Sequence, residues 1–575
     1  MLKIPYGESD FTKVIRNGFF YQDRTAFIRD LEAAPSFLFY LRPRRFGKSL
    51  FVSMLEHYYA LEYQADFKHL FGGLDIGKNP TPLANQFMVL SFEFTGIQTN
   101  TPANTEAGFL GSVRDSVGLF LSQYSDFFPS DTYKDIYKDV MEKEEPNLVM
   151  KALFFHYKQV RQDRDVPKIY LLIDEYDHFT NELISFNFEF FAKSVTQNGF
   201  VRKFYETIKV ATRDKIVDRL FITGVSPVTL DSMTSGFNIG TNITLRPHFH
   251  SMMGFVESEV ENILIGIGVK EADFTTVLND LRAWYDGYLF HPDAASHVYN
   301  PDMVLYFSEY YQSTKQYPDD LLDTNIATDY TKIRNIFKIQ QREDEHLGTL
   351  RLLMDTGEIS AVLAKEFSLV KDFKQDDLVS LLFYMGFLTV KARELGGLIF
   401  SFPNYVIEKL YADYFISIVE QKEGLPIDNT KLNFALRTLA LSGTPQYLYT
   451  IVTEIVKVLS SRDSKDFNEM SLKAIFVSLL HQQQFYYVHS EFETERQYVD
   501  VFLETVTGNP VKFETAFEFK YVKKGETINV KDELDKAEIQ LINYMTTKKF
   551  LQKPSLKAFV VLVHGTELHQ RELIL

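Results

Sequence analysis

The sequence predicts an α/β protein of several domains: a layered α/β domain, a mainly helical middle region with a winged-helix outline, and a second α/β domain. Three observations predict it. Residues 1 to about 250 alternate strand-like apolar runs with helical stretches. From 251 to about 370 helical patterning takes over, and 375–407 changes again to a helix and a hairpin. Beyond that, strands return around one long amphipathic helix. A chain of 575 residues also exceeds one core, so about three or four domains are expected. The boundaries read as 1–250, 251–425 and 426–575.

In chain order, the first domain offers strands at 37–41, 87–94, 168–173 and 219–223, with helices at 49–63 and 146–161. Helical stretches broken by Gly and Asp cover 256–281. A helix at 376–384 precedes strands at 387–391 and 398–402 around Gly396-Gly397, the outline of a winged helix or of a plain helix–hairpin. The polar stretch 421–430 reads as a linker. Helices then fill 431–483, followed by strands at 498–504 and 512–521, a helix at 531–546 and a strand at 556–564.

Composition narrows the class. Apolar content of 45% with 24% charged residues is that of an ordinary globular protein. Cysteine is absent, which excludes disulfides and Cys-ligated zinc or iron–sulfur sites and favours a reducing, cytoplasmic compartment. The amino terminus carries no basic segment ahead of an apolar core, so no signal peptide is expected. No apolar run approaches the ~18 residues a membrane span needs. A net charge of −16 excludes histone-like coating of nucleic acid, yet leaves room for one basic groove.

Two constellations carry chemistry. The first is Gly47-Lys48-Ser49, between a strand and a helix. A helix starting there offers free backbone N–H groups to phosphates. Lys48 reaches the outer phosphates and Ser49 a Mg²⁺ ion, as in the Walker A pattern G-x-x-x-x-G-K-[ST]. Arg42 stands where that pattern has its first glycine, so the loop must turn another way. Arg44 and Arg45 either touch phosphate or pack. The second element of this set is the apolar strand ending in Asp174-Glu175, a Walker B arrangement. It gives a metal-binding Asp174 and a water-polarising Glu175. Thr223, at another strand end, is either a γ-phosphate sensor or a plain terminal Thr. Asp177 and His178 either belong to the site or lie on a solvated turn, the turn being the leading expectation. Together these residues predict a P-loop NTPase domain using ATP and Mg²⁺.

The other constellation is Asp500 with Glu518-Phe519-Lys520. Strand alternation puts Glu518 and Lys520 on one face and Phe517, Phe519 and Tyr521 on the other. Aligned with Asp500, Glu518 gives Mg²⁺ two carboxylate ligands, and Lys520 orients water or steadies the phosphate. Glu491, from the alternating Glu491, Glu493 and Glu495, is a candidate extension of the metal site, the others marking a charged edge strand. Gln540 either supports the site from its helix or is surface polar. Lysines at 520, 523, 524, 531, 548, 549, 553 and 557 suit a phosphate backbone or simple exposure.

The chain resembles the bacterial AAA-ATPase-like family that joins a P-loop domain to a carboxyl-terminal PD-(D/E)XK nuclease-like domain. The resemblance rests on Ile4-Pro5-Tyr6-Gly7, Ser9-Asp10-Phe11, Tyr21–Thr25 and Leu41–Ser49. It continues through Leu172–Asp177, Gly224–Val228, Thr234–Ile239, Trp284–Phe290 and Tyr299-Asn300-Pro301. It implies an AAA-like (ASCE-class) ATPase domain, a restriction-endonuclease-like domain, and Tyr21–Thr25 near the nucleotide base. The family's own entry to the loop is R-P-R-R, which matches Arg42–Arg45. The Tyr285–Tyr288 turn reads as a packing device rather than a catalytic one. ATP hydrolysis coupled to Mg²⁺-dependent cleavage of nucleic acid, DNA ahead of RNA, is the leading expectation, with homo-oligomers allowed. The alternative is a nucleotide-dependent switch or nucleic-acid-binding module without nuclease activity.

Overall fold

The structure is a computed structural model. It describes residues 2–573 apart from 197, 228–238, 319, 324–335, 338–342, 366, 368–372, 424–426, 462–467, 484, 495–496, 507–510 and 524. The string at 234–238, the middle of the linker and Glu495 therefore lie outside the described residues.

The first sheet contains β1 (Phe37–Leu41), β2 (Met88–Glu93), β3 (Ile169–Asp174), β4 (Val217–Gly224) and β5 (Thr241–Asn242), all parallel, in the order β2-β3-β4-β1-β5. Both faces are covered by helices, which is why these strands read as unbroken apolar runs. All six residues of β3 are buried. The order sets β4 between the Lys48 loop and the acidic pair, so Thr223 lies beside both. That arrangement is the ASCE class of P-loop NTPase. Ligands of such sheets bind beyond the carboxyl ends of the strands, where Arg42, Asp174 and Thr223 all stand.

The middle region follows with helices Glu257–Gly266, Glu271–Tyr285 and Pro301–Thr314. Next come a helix at Glu343–Thr356, β6 (Glu358–Ala361), a helix at Gln375–Tyr384, and the hairpin β7 (Thr389–Glu394) and β8 (Gly397–Ser401). These three strands form one antiparallel sheet, β6-β8-β7. β6 was not legible because four residues give too little alternation to stand out. The order helix–strand–helix–hairpin is that of a winged helix.

This unit sits on the phosphate loop. Phe46 packs edge-on against Tyr288 and Phe290, at 5.0 and 5.6 Å. A Cβ on Gly386 would lie 2.7 Å from Pro43, so glycine here allows the close approach. The Tyr285–Phe290 string is thus a packing element. Gly386→Val is expected to lower the Tm and weaken nucleotide binding together, measured by thermal melts with and without nucleotide.

Helices Tyr405–Glu423, Asn429–Ser442, Gln446–Ser461 and Glu469–Leu480 lead to the last sheet. Its strands are β9 (Tyr486–Thr494), β10 (Gln497–Thr505), β11 (Glu514–Val522), β12 (Leu556–His564) and β13 (Glu567–Glu572), in the order β13-β12-β11-β10-β9. Only β11 and β12 run parallel, joined by the helix Val530–Met545. β9 is the charged edge strand expected around Glu491 and Glu493, and β13 extends the sheet beyond the strands expected from sequence. Buried Leu534, Ala537 and Leu541 fasten that helix to Ala516, Val560 and Leu562, while Phe476 of the Glu469 helix packs edge-on against Phe517 and Phe519 from the other side.

Candidate nucleotide and nuclease sites

At the first site, β1 ends and the chain turns through Arg42–Gly47 into the helix Lys48–Tyr59. Gly47 has φ 84°, a left-handed turn that glycine makes without steric cost. Arg45 also has positive φ, 67°. How the loop turns without its first glycine is answered by Arg42. Its guanidinium is buried and donates to the carbonyls of Leu41 (2.9 Å), Thr244 (3.0 Å), Phe249 (3.3 Å) and His250 (3.2 Å). It is also sandwiched between the rings of Tyr40 and Phe290, about 4 Å from each. Arg42 therefore points away from any phosphate and braces the loop from behind. Arg42→Ala would leave these carbonyls unpaired around a cavity, and a loss of about 3–5 kcal/mol is expected in chemical denaturation.

Lys48 is buried, its Nζ donating to Pro43 O within the loop at 3.1 Å. Burial lowers its pKa, while Glu175, Asp174 and Asp177 oppose that shift. Asp174 Oδ1 accepts the Glu175 N–H (3.0 Å) and the Thr223 hydroxyl. Burial raises its pKa, and hydrogen bonds from Ser49 and Thr223 offset this. Ser49, Asp174 and Thr223 thus meet at one point. Glu175 has φ 49°. Burial pushes its carboxyl up, but the hydrogen bond to His178 and the charges of Lys48, His178 and Arg44 overcome this and hold it at about 2. It stays ionised at neutral pH.

The solvated turn expected at 177–178 is corrected. Asp177 is completely buried and accepts the backbone N–H groups of Val225 and Ser226, at 3.0 and 2.7 Å, tying the end of β3 to the end of β4. His178 joins the site, with Nδ1 2.9 Å from Glu175 Oε2 and 3.3 Å from an Arg44 nitrogen. A short polar residue after an acidic strand end carries no sequence mark separating such a buried cap from a solvated turn. Arg45 lies 3.9 Å from Asp302 at the start of the Pro301 helix.

In front of the loop a cavity of about 400 Å³ is lined by Tyr21, Gln22, Arg24, Met253 and Phe255 besides Lys48, Ser49 and Glu175. That volume lies within the roughly 300–1,000 Å³ of small-molecule sites. Arg24 clamps the middle region, donating to both carboxylate oxygens of Glu259 (2.5 and 2.7 Å) and to Gly254 O. Asp23 and Thr25 serve the local fold, Asp23 accepting from the N–H groups of Thr25 and Asp75.

The second site lies where β10 and β11 part. Their ladder pairs Val501 with Phe517; one residue on, the register sets Asp500 opposite Glu518. The Phe519 N–H, which would continue the ladder, donates to Asp500 Oδ2 at 2.7 Å. Glu518 is buried, with Oε1 3.2 Å from Lys520 Nζ and Oε2 without a hydrogen-bond partner. Burial and the Asp500 charge push its carboxyl up to about 7, against the pull of Lys520. An orphaned carboxylate oxygen beside a second carboxylate fits a hard cation. Two carboxylates with open positions between them are the kind of donor set Mg²⁺ takes, since that ion keeps several of its waters.

Glu491, on β9, has φ 51°, and the β9–β10 ladder skips its pairing with Asp500. Its carboxylate is held by Lys473 of the Glu469 helix. Lys473 is 5% exposed and also 3.7 Å from both Asp500 and Asp355. Sequence reasoning missed it, because one Lys in an apolar helix looks like an exposed residue. Gln540 is exposed on its helix. Tyr544, one turn on, is the residue there that feels the charges of Glu518 and Asp500. Of the carboxyl-terminal lysines, Lys553 pairs with Glu504 and Glu514, and Lys557 with Glu572, so part of that positive charge is spent within the fold.

The fold and these residues define a P-loop NTPase-class domain joined to a nuclease-type α/β domain. Residues 5–234 match the family described as predicted AAA-ATPase, and residues 467–572 match the PD-(D/E)XK nuclease superfamily. The chain thus carries an AAA-ATPase-like domain followed by a carboxyl-terminal PD-(D/E)XK nuclease superfamily domain. An Azotobacter chroococcum mcd 1 protein described as an uncharacterized protein in the vnfD 5' region is 26% identical over 322 residues. The match covers 53% of this chain and 52% of that protein, so the chain spans about half the length of this relative. Among the described residues, no helix is long and apolar enough to cross a membrane.

Proposed function

We propose that this protein binds and hydrolyses ATP with Mg²⁺ and couples the nucleotide state to a Mg²⁺-dependent phosphodiesterase acting on nucleic acid, DNA ahead of RNA. The observation that carries the nuclease half is the buried, unpartnered Glu518 oxygen set opposite Asp500. At the first site, Gly47, Lys48, Ser49, Arg44 and Arg45 would hold the phosphates, Ser49 and Asp174 the metal's shell, and Thr223 would sense the γ-phosphate. Glu175 would take the proton of the attacking water, with His178 orienting its carboxylate. At the second site Asp500 and Glu518 would ligate Mg²⁺, which neutralises charge on the phosphate oxygens, while Lys520 would orient the nucleophilic water. The cysteine-free chain suits a cytoplasmic setting.

The test is cleavage of plasmid DNA and of RNA with Mg²⁺, with and without ATP, using the parent beside Lys48→Ala and Asp500→Ala. Metal-dependent cleavage lost in Asp500→Ala supports the reading. ATP-sensitive nucleic-acid binding with no cleavage by the parent would replace it with the switch.

A further inference from the structure

The nuclease-type centre is completed from outside its own domain. Asp355 lies at the end of the helix Glu343–Thr356, more than 100 residues before the span matched to the nuclease superfamily. Its carboxylate is 3.7 Å from Lys473 Nζ, and its backbone carbonyl accepts the Ser490 hydroxyl at 2.8 Å. Lys473 in turn touches Glu491 and stands 3.7 Å from Asp500 Oδ1. Burial works against its charge, but Asp500, Glu491 and Asp355 outweigh burial and keep it protonated. Asp500 does not need Lys473 for its orientation, because the Phe519 N–H already fixes its other oxygen at 2.7 Å.

We propose that Lys473 is a tethered cation that competes with the divalent metal for Asp500 and Glu491, and that Asp355 sets this competition from the middle region by drawing the ammonium group away from Asp500. This rests on the nuclease reading and names how that site is regulated. The physical ground is that an ammonium group 3.7 Å from Asp500, itself nearly excluded from solvent, repels a divalent ion brought to the same carboxylate and so lowers its affinity there. When Lys473 leans toward Asp355 the carboxylates are open to metal; when it leans on Asp500 they are closed. The unit that carries Asp355 is also the one whose Gly386 presses on Pro43 of the phosphate loop, so a shift at the nucleotide reaches Lys473 through one structural body.

The test reads Mn²⁺ binding by electron paramagnetic resonance on the full chain, without substrate, for the parent, Lys473→Met, Asp355→Asn, the double variant and Asp500→Asn. Lys473→Met is expected to tighten Mn²⁺ about tenfold and Asp355→Asn to weaken it about fivefold. In the Lys473→Met background, Asp355→Asn is expected to change affinity less than about twofold, since the residue it restrains is gone. A role confined to folding would weaken binding in both single variants. A folded Lys473→Met that binds Mn²⁺ no tighter than the parent overturns the proposal. Should Lys473→Met not fold, Asp355→Asn decides alone, and an affinity within about twofold of the parent sinks the idea. A parent that binds Mn²⁺ unaffected by Asp500→Asn, or neither binds nor cleaves, brings down the nuclease reading itself and this inference with it.

Discussion

Lys48→Ala is expected to weaken ATP binding by about 10²-fold or more, measured by calorimetry, with the far-ultraviolet dichroism of the parent. Removing one partner of a buried, charge-assisted contact typically costs about 2–5 kcal/mol. Lys48 is well placed to show the full effect. It is already buried and donates to a loop carbonyl, so binding phosphate replaces an ammonium–carbonyl bond with a stronger ammonium–phosphate ion pair. The fold should tolerate the change, because Arg42, not Lys48, braces the loop. Cleavage of nucleic acid should keep its metal requirement in this variant and lose its response to ATP. Unaltered ATP affinity in a folded Lys48→Ala protein would remove the loop from nucleotide binding.

The second large effect concerns Asp500 and Glu518. Asp500→Asn is expected to reduce cleavage by roughly 10²–10³-fold or more while leaving ATP affinity unchanged, and Lys520→Ala should do likewise. Glu518 adds a pH signature. Its carboxyl, raised to about 7, holds a proton below that pH and must lose it to bind metal. Metal affinity should therefore rise with pH up to and through about 7, with proton release on binding, and flatten above it. Stability without metal should run the other way. The folded state keeps a proton that the unfolded chain loses near its ordinary carboxylate value of 4.5. Stability thus falls as pH rises from about 4.5 through about 7. Glu518→Gln should abolish both trends, melting higher than the metal-free parent at pH 8. A parent whose metal affinity is flat from pH 6 to 8 would refute the assignment of Glu518 as ligand.

Much of the first domain was legible because a doubly covered parallel sheet writes itself as apolar runs, and β1 to β4 fall within a residue or two of their expected places. The phosphate loop and acidic strand end are likewise local: their chemistry needs adjacent residues. What escaped depends on distant partners. Arg42 looked like a missing glycine, and its role appears only when residues 244, 249 and 250 fold back behind it. Asp177 and His178 looked solvated, and burial against the end of β4 made one a cap and the other a partner of Glu175. Alternation did place Glu518 and Lys520 on one face and, with the register, Asp500 opposite Glu518. Lys473 and Asp355 are separated by 118 positions, and no spacing rule connects them.

Arg42 also bears on how the protein can be taken apart. The span matched to the ATPase family stops at residue 234, yet the guanidinium that shapes the phosphate loop is held by carbonyls at 244, 249 and 250 and by the ring of Phe290. A fragment ending at 234 would carry every residue of the nucleotide motifs and lack the clasp that gives them their shape. The smallest piece able to fold as an autonomous nucleotide binder must therefore extend past Phe290, and, because Gly386 seats on Pro43, it gains by reaching the end of β8. Modularity in this chain follows the packing around one arginine, not the limits of the motifs.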